Sequence, residues 1–325
     1  MFAAAALSAI ALAVPSGPAI ALGDSQHAWA GGKGGLLGTS DGGRTWRREA
    51  AGPVLELRAL GGRTAWALEP RAVLRTTDGA HWTGSAAPAL AALAPVSGRS
   101  AFALDRSGLL RSSSEGVSWP AAPGAPTRLQ ALCFASANLG WVARGGSVWT
   151  TRDGGRHWSQ RRLLPSSQGF PVPQLGCRGR DVWAIFHEGA AAGTEGYRVL
   201  RSLDGGSSWK AVLATPMQRR LPSISNYAGP FSALGGGRAV FVGYCGPCGR
   251  LQPTTTIVRT SDGGRSFSRN TPFDGFWPYD VSFVDLRRGL LLTGARRRGG
   301  IVWRTLDGGR TWRRVLRSPA LVSAQ

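Results

Sequence analysis

The chain is 325 residues long and carries 39 Lys and Arg against 18 Asp and Glu, a formal charge of +21; 37 of the basic residues are Arg. No segment of helical length holds an i, i+3, i+4, i+7 apolar stripe, and 47 Gly and 20 Pro supply turns throughout, which excludes a helical fold and points to short strands. The positive balance favours an anionic or acidic partner, and the lack of a clustered basic helix or nucleic-acid-binding module argues against nucleic acid.

The N-terminal segment MFAAAALSAIALAVPSGPAIAL has no charge, and its Ala19-Ile20-Ala21 has the small-residue pattern of a secretory cleavage site. The basic stretch expected ahead of such a segment is missing, since the first basic residue is Lys33. Two readings stand: residues 1–21 are an export signal, or PAIAL is the first inner strand of the domain formed by residues 22–325. We favour export. Pro15 and Pro18 break the run too much for a membrane span.

From residue 39 onward one phrase recurs. It reads TSDGGRTW at 39–46, TTDGAHW at 76–82, SSSEGVSW at 112–119, TRDGGRHW at 151–158, SLDGGSSW at 202–209, TSDGGRSF at 260–267 and TLDGGRTW at 305–312. The key position is Asp41, Asp78, Ser114, Asp153, Asp204, Asp262 and Asp307, at spacings of 37, 36, 39, 51, 58 and 45 residues. Apolar runs such as GLLGT, AVLRT and RVLRS precede each copy, second and third runs lie upstream, and the closing aromatic opens a fourth, as in WRREA or WKAVLA. Runs of this length bounded by Gly, Asp, Ser and Pro are strands. Four strands per repeat of roughly 40 residues is the grammar of a β-propeller blade, so the expected fold is all-β: a seven-bladed propeller with four-stranded antiparallel blades. The phrase then marks the turn from third to fourth strand. Its Asp accepts backbone amides, its Gly takes positive φ, and its Trp packs between blades.

The phrase resembles the Asp-box, or BNR repeat, known from sialidases, sortilin-type receptors, xyloglucan hydrolases and the photosystem II stability/assembly factor family. GWVARGGSVWTTRDGGRHW (140–158) and VRTSDGGRSF (258–267) are most similar to that last family and its non-photosynthetic bacterial relatives. The resemblance spans residues 24–317 and implies fold more than function. Against a sialidase, the Arg-bearing (F/Y)RIP phrase is missing before the first box, and Tyr197-Arg198-Val199-Leu200 echoes it only in blade 5. A xyloglucan hydrolase resembles two such propellers in tandem.

Four cysteines remain. Cys245-Gly-Pro-Cys248 has the letters of a redox motif without its strand-to-helix context, so a structural disulfide is expected; free thiols, a metal role or redox chemistry are the alternatives. Cys133 and Cys177 fall in the inner strands of blades 4 and 5, where they could meet across the blade boundary; the alternative is that each is a small buried hydrophobe. No metal spacing appears among His27, His81, His157 and His187, no cofactor motif is present, and Glu188 and Glu195 are the one candidate carboxylate pair. Loops joining blades share a face with loops joining second and third strands, and the insertions of blades 5–7 are longest there. The expected binding residues on that face are Arg219, Arg220, Trp277, Tyr279, Arg296, Arg297 and Arg298. The reading is an exported, monomeric, non-catalytic binding or assembly scaffold whose basic face takes a protein, anionic glycan or anionic lipid. The alternatives are a sialidase-type glycan hydrolase and a sortilin-like peptide-binding ring.

Overall fold

The computed structural model describes residues 18–165, 171–218, 220–246, 248, 253–294 and 299–322. Blade 1 comprises β1 (Ala19–Leu22), β2 (Ala28–Gly32), β3 (Gly35–Thr39) and β4 (Arg47–Ala50). Blade 2 is β5 (Glu56–Gly61), β6 (Thr64–Leu68), β7 (Ala72–Thr76) and β8 (Thr83–Ala86), and blade 3 is β9 (Ala92–Pro95), β10 (Ala101–Leu104) and β11 (Leu109–Ser112). Blade 4 is β12 (Ala131–Phe134), β13 (Gly140–Arg144), β14 (Ser147–Thr151) and β15 (Ser159–Arg162). Blade 5 is β16 (Val172–Arg178), β17 (Asp181–Ala191), β18 (Thr194–Ser202) and β19 (Lys210–Ala214). Blade 6 is β20 (Tyr227–Gly235), β21 (Arg238–Cys245), β22 (Thr254–Thr260) and β23 (Ser268–Asp274). Blade 7 is β24 (Trp277–Phe283), β25 (Gly289–Gly294), β26 (Gly300–Thr305) and β27 (Arg313–Ser318).

Each blade is an antiparallel meander in sequence order, and the described residues form seven of them. The all-β, seven-bladed expectation holds. Blade 3 differs in one detail. Its fourth place is held by a single bridge, Leu110 to Ala121, because the segment there reads WPAAP. Pro120 and Pro123 have no N–H to give a ladder.

The core lies between blades. Large side chains of the second strands, including Trp29, Trp66, Phe102, Trp141, Trp183 and Phe241, are buried. They pack in the seams, as where Trp141 of β13 meets Val182 and Ala184 of β17. Closing the ring buries both faces of every blade, which a lone blade cannot do.

Inner strands are stitched together by side chains that cap the neighbouring strand's free edge. Asp280 and Ser282 of β24 accept from the amides of Ile20 and Leu22, at 2.9 and 3.0 Å. Glu56 accepts from the Leu93 amide at 2.8 Å, and Ser232 from that of Phe283 at 3.2 Å. Between blades 4 and 5 the tie is covalent: Cys133 and Cys177 form a disulfide, as their inner-strand placement allowed. Ala19, Ile20 and Ala21 lie inside β1, the inner strand of blade 1.

Candidate functional site

The repeated phrase sits at the third-to-fourth-strand turn of each blade. In blade 1, Asp41 accepts from the hydroxyl of Thr45 at 2.6 Å, from the amides of Arg44 and Thr45 at 2.8 and 3.0 Å, and from the Thr39 hydroxyl at 2.8 Å. The hydrogen bonds from Thr45 hold the Asp41 carboxyl well below the usual carboxylate range. Asp262 repeats the set with Ser266, Arg265 and Thr260, and Asp307 with Thr311, whose bonds bring the Asp307 carboxyl down to about 2. These carboxylates are spent on their own turns, and the turns stand on separate blades, so they do not converge on a ligand.

Two copies depart from the pattern and are compensated. In blade 3, Ser114 accepts the Ser118 amide at 3.0 Å, a single oxygen in place of a carboxylate. Glu115 stands where the others have their first Gly and adopts φ 62°, beside 74° at Gly42 and 76° at Gly154. This left-handed backbone costs a residue with a Cβ roughly 1–2 kcal/mol. Glu115 is anchored by Arg75 at 2.5 Å and Arg99 at 3.3 Å. In blade 2 the copy is one residue short. Trp158, Trp209 and Trp312 donate their indole N–H to the second box Gly of their own turn, whereas Trp82 donates to Glu49 of blade 1.

First-to-second-strand turns share this box face, since the first box Gly donates back to them: Gly154 to Asn138, Gly205 to Arg180, Gly263 to Gly237. The opposite face carries the second-to-third-strand turns and the blade-to-blade links. Arg220 is exposed there, between β19 and β20, and Tyr279 is 43% exposed at the start of β24. Arg219, Arg296, Arg297 and Arg298 lie outside the described residues.

Over blades 5–7 this opposite face holds a row of aromatics. Tyr227 and Tyr244 face each other across β20 and β21. Their rings are stacked at 4.8 Å and 4° apart in plane, and Trp277 meets Tyr244 edge-on at 5.0 Å. All three are half-buried. Sequence reasoning named Trp277 and Tyr279 but missed Tyr227 and Tyr244, which are 17 residues apart and meet only through the β20–β21 register. The row is buttressed by the long β17–β18 hairpin. There Glu195 accepts from the Ala228 amide at 3.0 Å and lies 2.8 Å from His187 Nδ1. Buried Tyr197 bridges to the next blade, donating to the Ser225 carbonyl at 2.9 Å and accepting from the Ile224 amide at 2.7 Å. Burial drives the Tyr197 phenol up to about 12 and also raises that of Tyr244, with the Glu195 charge adding to the latter.

Glu188 and Glu195 stand on the two strands of the β17–β18 hairpin. Glu188 lies 3.1 Å from Arg198 Nε, and Glu195 engages His187. Each carboxylate thus faces a basic side chain of the same hairpin. Cys245 and Cys248 are disulfide-bonded at the end of β21, as expected. Among the described residues no group of three His, Cys, Asp or Glu is placed to hold a metal.

The box face is also more basic than loop counting implied. Arg75, Arg111, Arg201, Arg259 and Arg304 occupy one position, just before the box Ser or Thr. Arg201 donates to the Gly263 carbonyl at 2.6 Å and Arg304 to that of Gly42, each in the next blade's box. Part of the positive charge, Arg75, Arg201 and Arg304 among it, therefore serves as clamps between blades. The signal was in the sequence, as the recurring R in AVLRT, GLLRS, RVLRS, TIVRT and IVWRT.

The fold and this two-faced arrangement define a seven-bladed β-propeller. No protein-family model and no curated protein sequence matches the chain. Among solved structures it is similar to YCF48 bound to D1 peptide, with a TM-score of 0.61 and 17% identity, covering 91% of this chain and 95% of that one. It is similar to the GH74 enzyme of Niastella koreensis at a TM-score of 0.63 and 14% identity, covering 97% of this chain and 55% of the enzyme, and so spans about half that protein. A polysaccharide lyase, PL25 ulvan lyase bound to -[GlcA(1-4)Rha3S]-, follows at 0.56 and 12%, covering 94% of each chain. These likenesses establish the fold.

Proposed function

We propose that the chain is a non-catalytic binding scaffold that takes a segment of a partner protein on the face of blades 5–7 opposite the repeated turns. The observation that carries this reading is the row Tyr227, Tyr244 and Trp277, with exposed Tyr279 beside it, on a rigid sheet end. Flat aromatic rings offer contact area at low entropic cost, and phenol and indole edges supply hydrogen bonds. A similar ring is known with a peptide bound to it, YCF48 with D1 peptide. The chain's charge of +21 favours an acidic segment, and the loop arginines Arg219, Arg220, Arg296, Arg297 and Arg298 are the proposed residues to meet it. Export is part of the proposal, with any signal ending upstream of Ala19, because β1 caps the ring. The two disulfides suit an oxidising compartment.

The test is capture from membrane and envelope extracts at low and moderate salt. We expect Tyr244→Ala with Tyr279→Ser to lose the captured protein outright. Replacing Arg296, Arg297 and Arg298 with Ser should weaken capture most at low salt, since exposed charge pairs are screened. An unchanged partner set in both folded variants would refute the site.

A further inference from the structure

Two blades lack an arginine at the repeated position just before the box Ser or Thr, and in blade 4 the bond to the next blade's box comes instead from Arg152, two residues further on. In blade 1 the equivalent residue is Gly38, and in blade 4 it is Thr150. The blade 1 seam is filled from within: a Cβ on Gly38 would stand within 2.6 Å of both carboxylate oxygens of Glu49, and Trp82 of the next blade donates to that carboxylate. In blade 4 the residue at the same distance past the box Asp is Arg161, where blade 1 has Glu49. A cleft of about 380 Å³ lies in that seam, lined by Thr150, Arg152, Trp158, Ser159, Arg161 and Ser207 among others.

Two walls of this cleft are cationic, and one of them is fixed. Arg152 donates to the Gly205 carbonyl at 3.0 Å and to the Ser207 hydroxyl at 3.2 Å, which holds its guanidinium and leaves further N–H groups for a ligand. Arg161 is exposed on β15. Asp153 also lines the cleft, but its oxygens are engaged by the amides of Arg156 and His157, by the Thr151 hydroxyl and by the His157 ring. At the floor, Thr150 Oγ1 and the Nε1 of fully buried Trp141 stand 2.6 and 2.7 Å from where a Cβ on Gly206 would be. That indole N–H has no acceptor among the described residues.

We propose that the cleft between blades 4 and 5 binds a glutamate or aspartate side chain presented by an acidic peptide segment, held between Arg152 and Arg161. The chain supplies the precedent itself, because the matching seam of blade 1 already holds a glutamate carboxylate. Two guanidinium forks pair with a carboxylate bidentately, and the cleft has room for the flanking peptide. This site lies on the other side of the ring seam from the aromatic row and is independent of it.

The experiment is calorimetric titration of the intact protein with acetyl-tetraglutamate amide, with tetraglutamine and glucuronate as comparison ligands. Two variants are used. Arg161→Ser removes one exposed wall. Thr150→Arg with Arg152→Leu copies the Arg201–Leu203 and Arg304–Leu306 pairs of blades 5 and 7 and refills the seam. We expect the glutamate peptide to bind, tetraglutamine not to bind, and each variant to lose at least tenfold in affinity while melting within a few degrees of the parent. Arg161→Ser changes only a surface residue, so it decides the matter if the double variant misfolds. Equal binding by Arg161→Ser, or by tetraglutamine, overturns the proposal. Tighter binding of glucuronate than of the peptide overturns the peptide assignment in favour of an acidic sugar. Tyr244→Ala with Tyr279→Ser should bind the glutamate peptide unchanged, which separates this site from the aromatic one.

Discussion

The box carboxylates and the polar groups beneath the aromatic row make different kinds of bond. On the box face each carboxylate caps its own turn, bonding residues no more than four positions away, such as Asp41 with Thr45. On the opposite face of blades 5–7, Tyr197 reaches Ser225 at a separation of 28 and Glu195 reaches Ala228 at 33. Local bonds can be lost one at a time. Blade 3 lacks its carboxylate, and a serine with a neighbouring ion pair keeps the turn in shape. Long-range bonds have no such spare, because each fixes the placement of a whole strand.

The largest test of this contrast is the covalent seam. Replacing Cys133 and Cys177 with Ala removes a cross-link of sequence separation 44. Chain-entropy reasoning puts the cost at about 4 kcal/mol, read from denaturant midpoints. A loss below about 1 kcal/mol would mean that inter-blade packing alone fixes the seam.

Next comes Tyr197→Phe. It strands the Ser225 carbonyl and the Ile224 amide in a buried place, and we expect a loss of about 2 kcal/mol. It should also weaken partner capture at the aromatic row, which the blade 5 hairpin supports. An unaltered melting temperature would show that the two kinds of bond do not differ as argued.

Acid titration probes both kinds of bond at once. Burial raises the Asp280 carboxyl to about 6 from an ordinary 3.8. A raised carboxyl protonates in the fold before it does in the unfolded chain, so this group adds stability as pH falls from 6 toward 3.8. The box carboxylates act in the opposite sense. Asp307, lowered from 3.8 to about 2, contributes fully above 3.8 and loses its contribution as pH falls through 2. Stability should therefore rise slightly below pH 6 and collapse below 4. Asp280→Asn should diminish the upper limb, leaving the part due to the other burial-raised carboxyls such as Glu56 and Glu49, and leave the lower limb in place; an undiminished upper limb would assign it elsewhere. The smallest effect is expected from Ser114→Asp, which restores the missing acceptors of blade 3 and should add about 0.5 kcal/mol. A clear loss would show that Glu115 and its arginines have made the serine turn self-sufficient.

The repeat was legible because its turn is a local problem. Asp, two Gly, a hydroxyl and Trp within eight positions meet every need of that turn, so the same letters recur wherever the chain makes it. The strand count followed for the same reason, and blade 3 lost its fourth strand where the sequence places Pro120 and Pro123. The Cys133–Cys177 bond was legible as a possibility once both residues were assigned to inner strands, and the structure forms it. The aromatic row was only half legible. Trp277 and Tyr279 share one loop, but Tyr227 and Tyr244 meet through a strand register with shifts at Ala228/Phe231 and Ala233/Gly235. The partners of the glutamates were not legible, because closeness in sequence says nothing about partners. Glu188 and Glu195 stand on opposite strands of a hairpin that supplies Arg198 and His187 to meet them.

What the sequence alone determined is the unit: a four-stranded blade with a capped turn, copied seven times, in a strongly basic chain. That information is local and is repeated often enough to survive worn copies. What the tertiary structure decided is everything in the seams. Whether an arginine at a repeated position is a clamp or a free charge depends on the next blade's carbonyls. Whether a seam without an arginine at the repeated position leaves a cleft depends on which side chain fills it. Glu49 fills one seam, while Arg161 lines the open cleft of the other. These outcomes depend on distances between residues of different blades, which only ring closure sets.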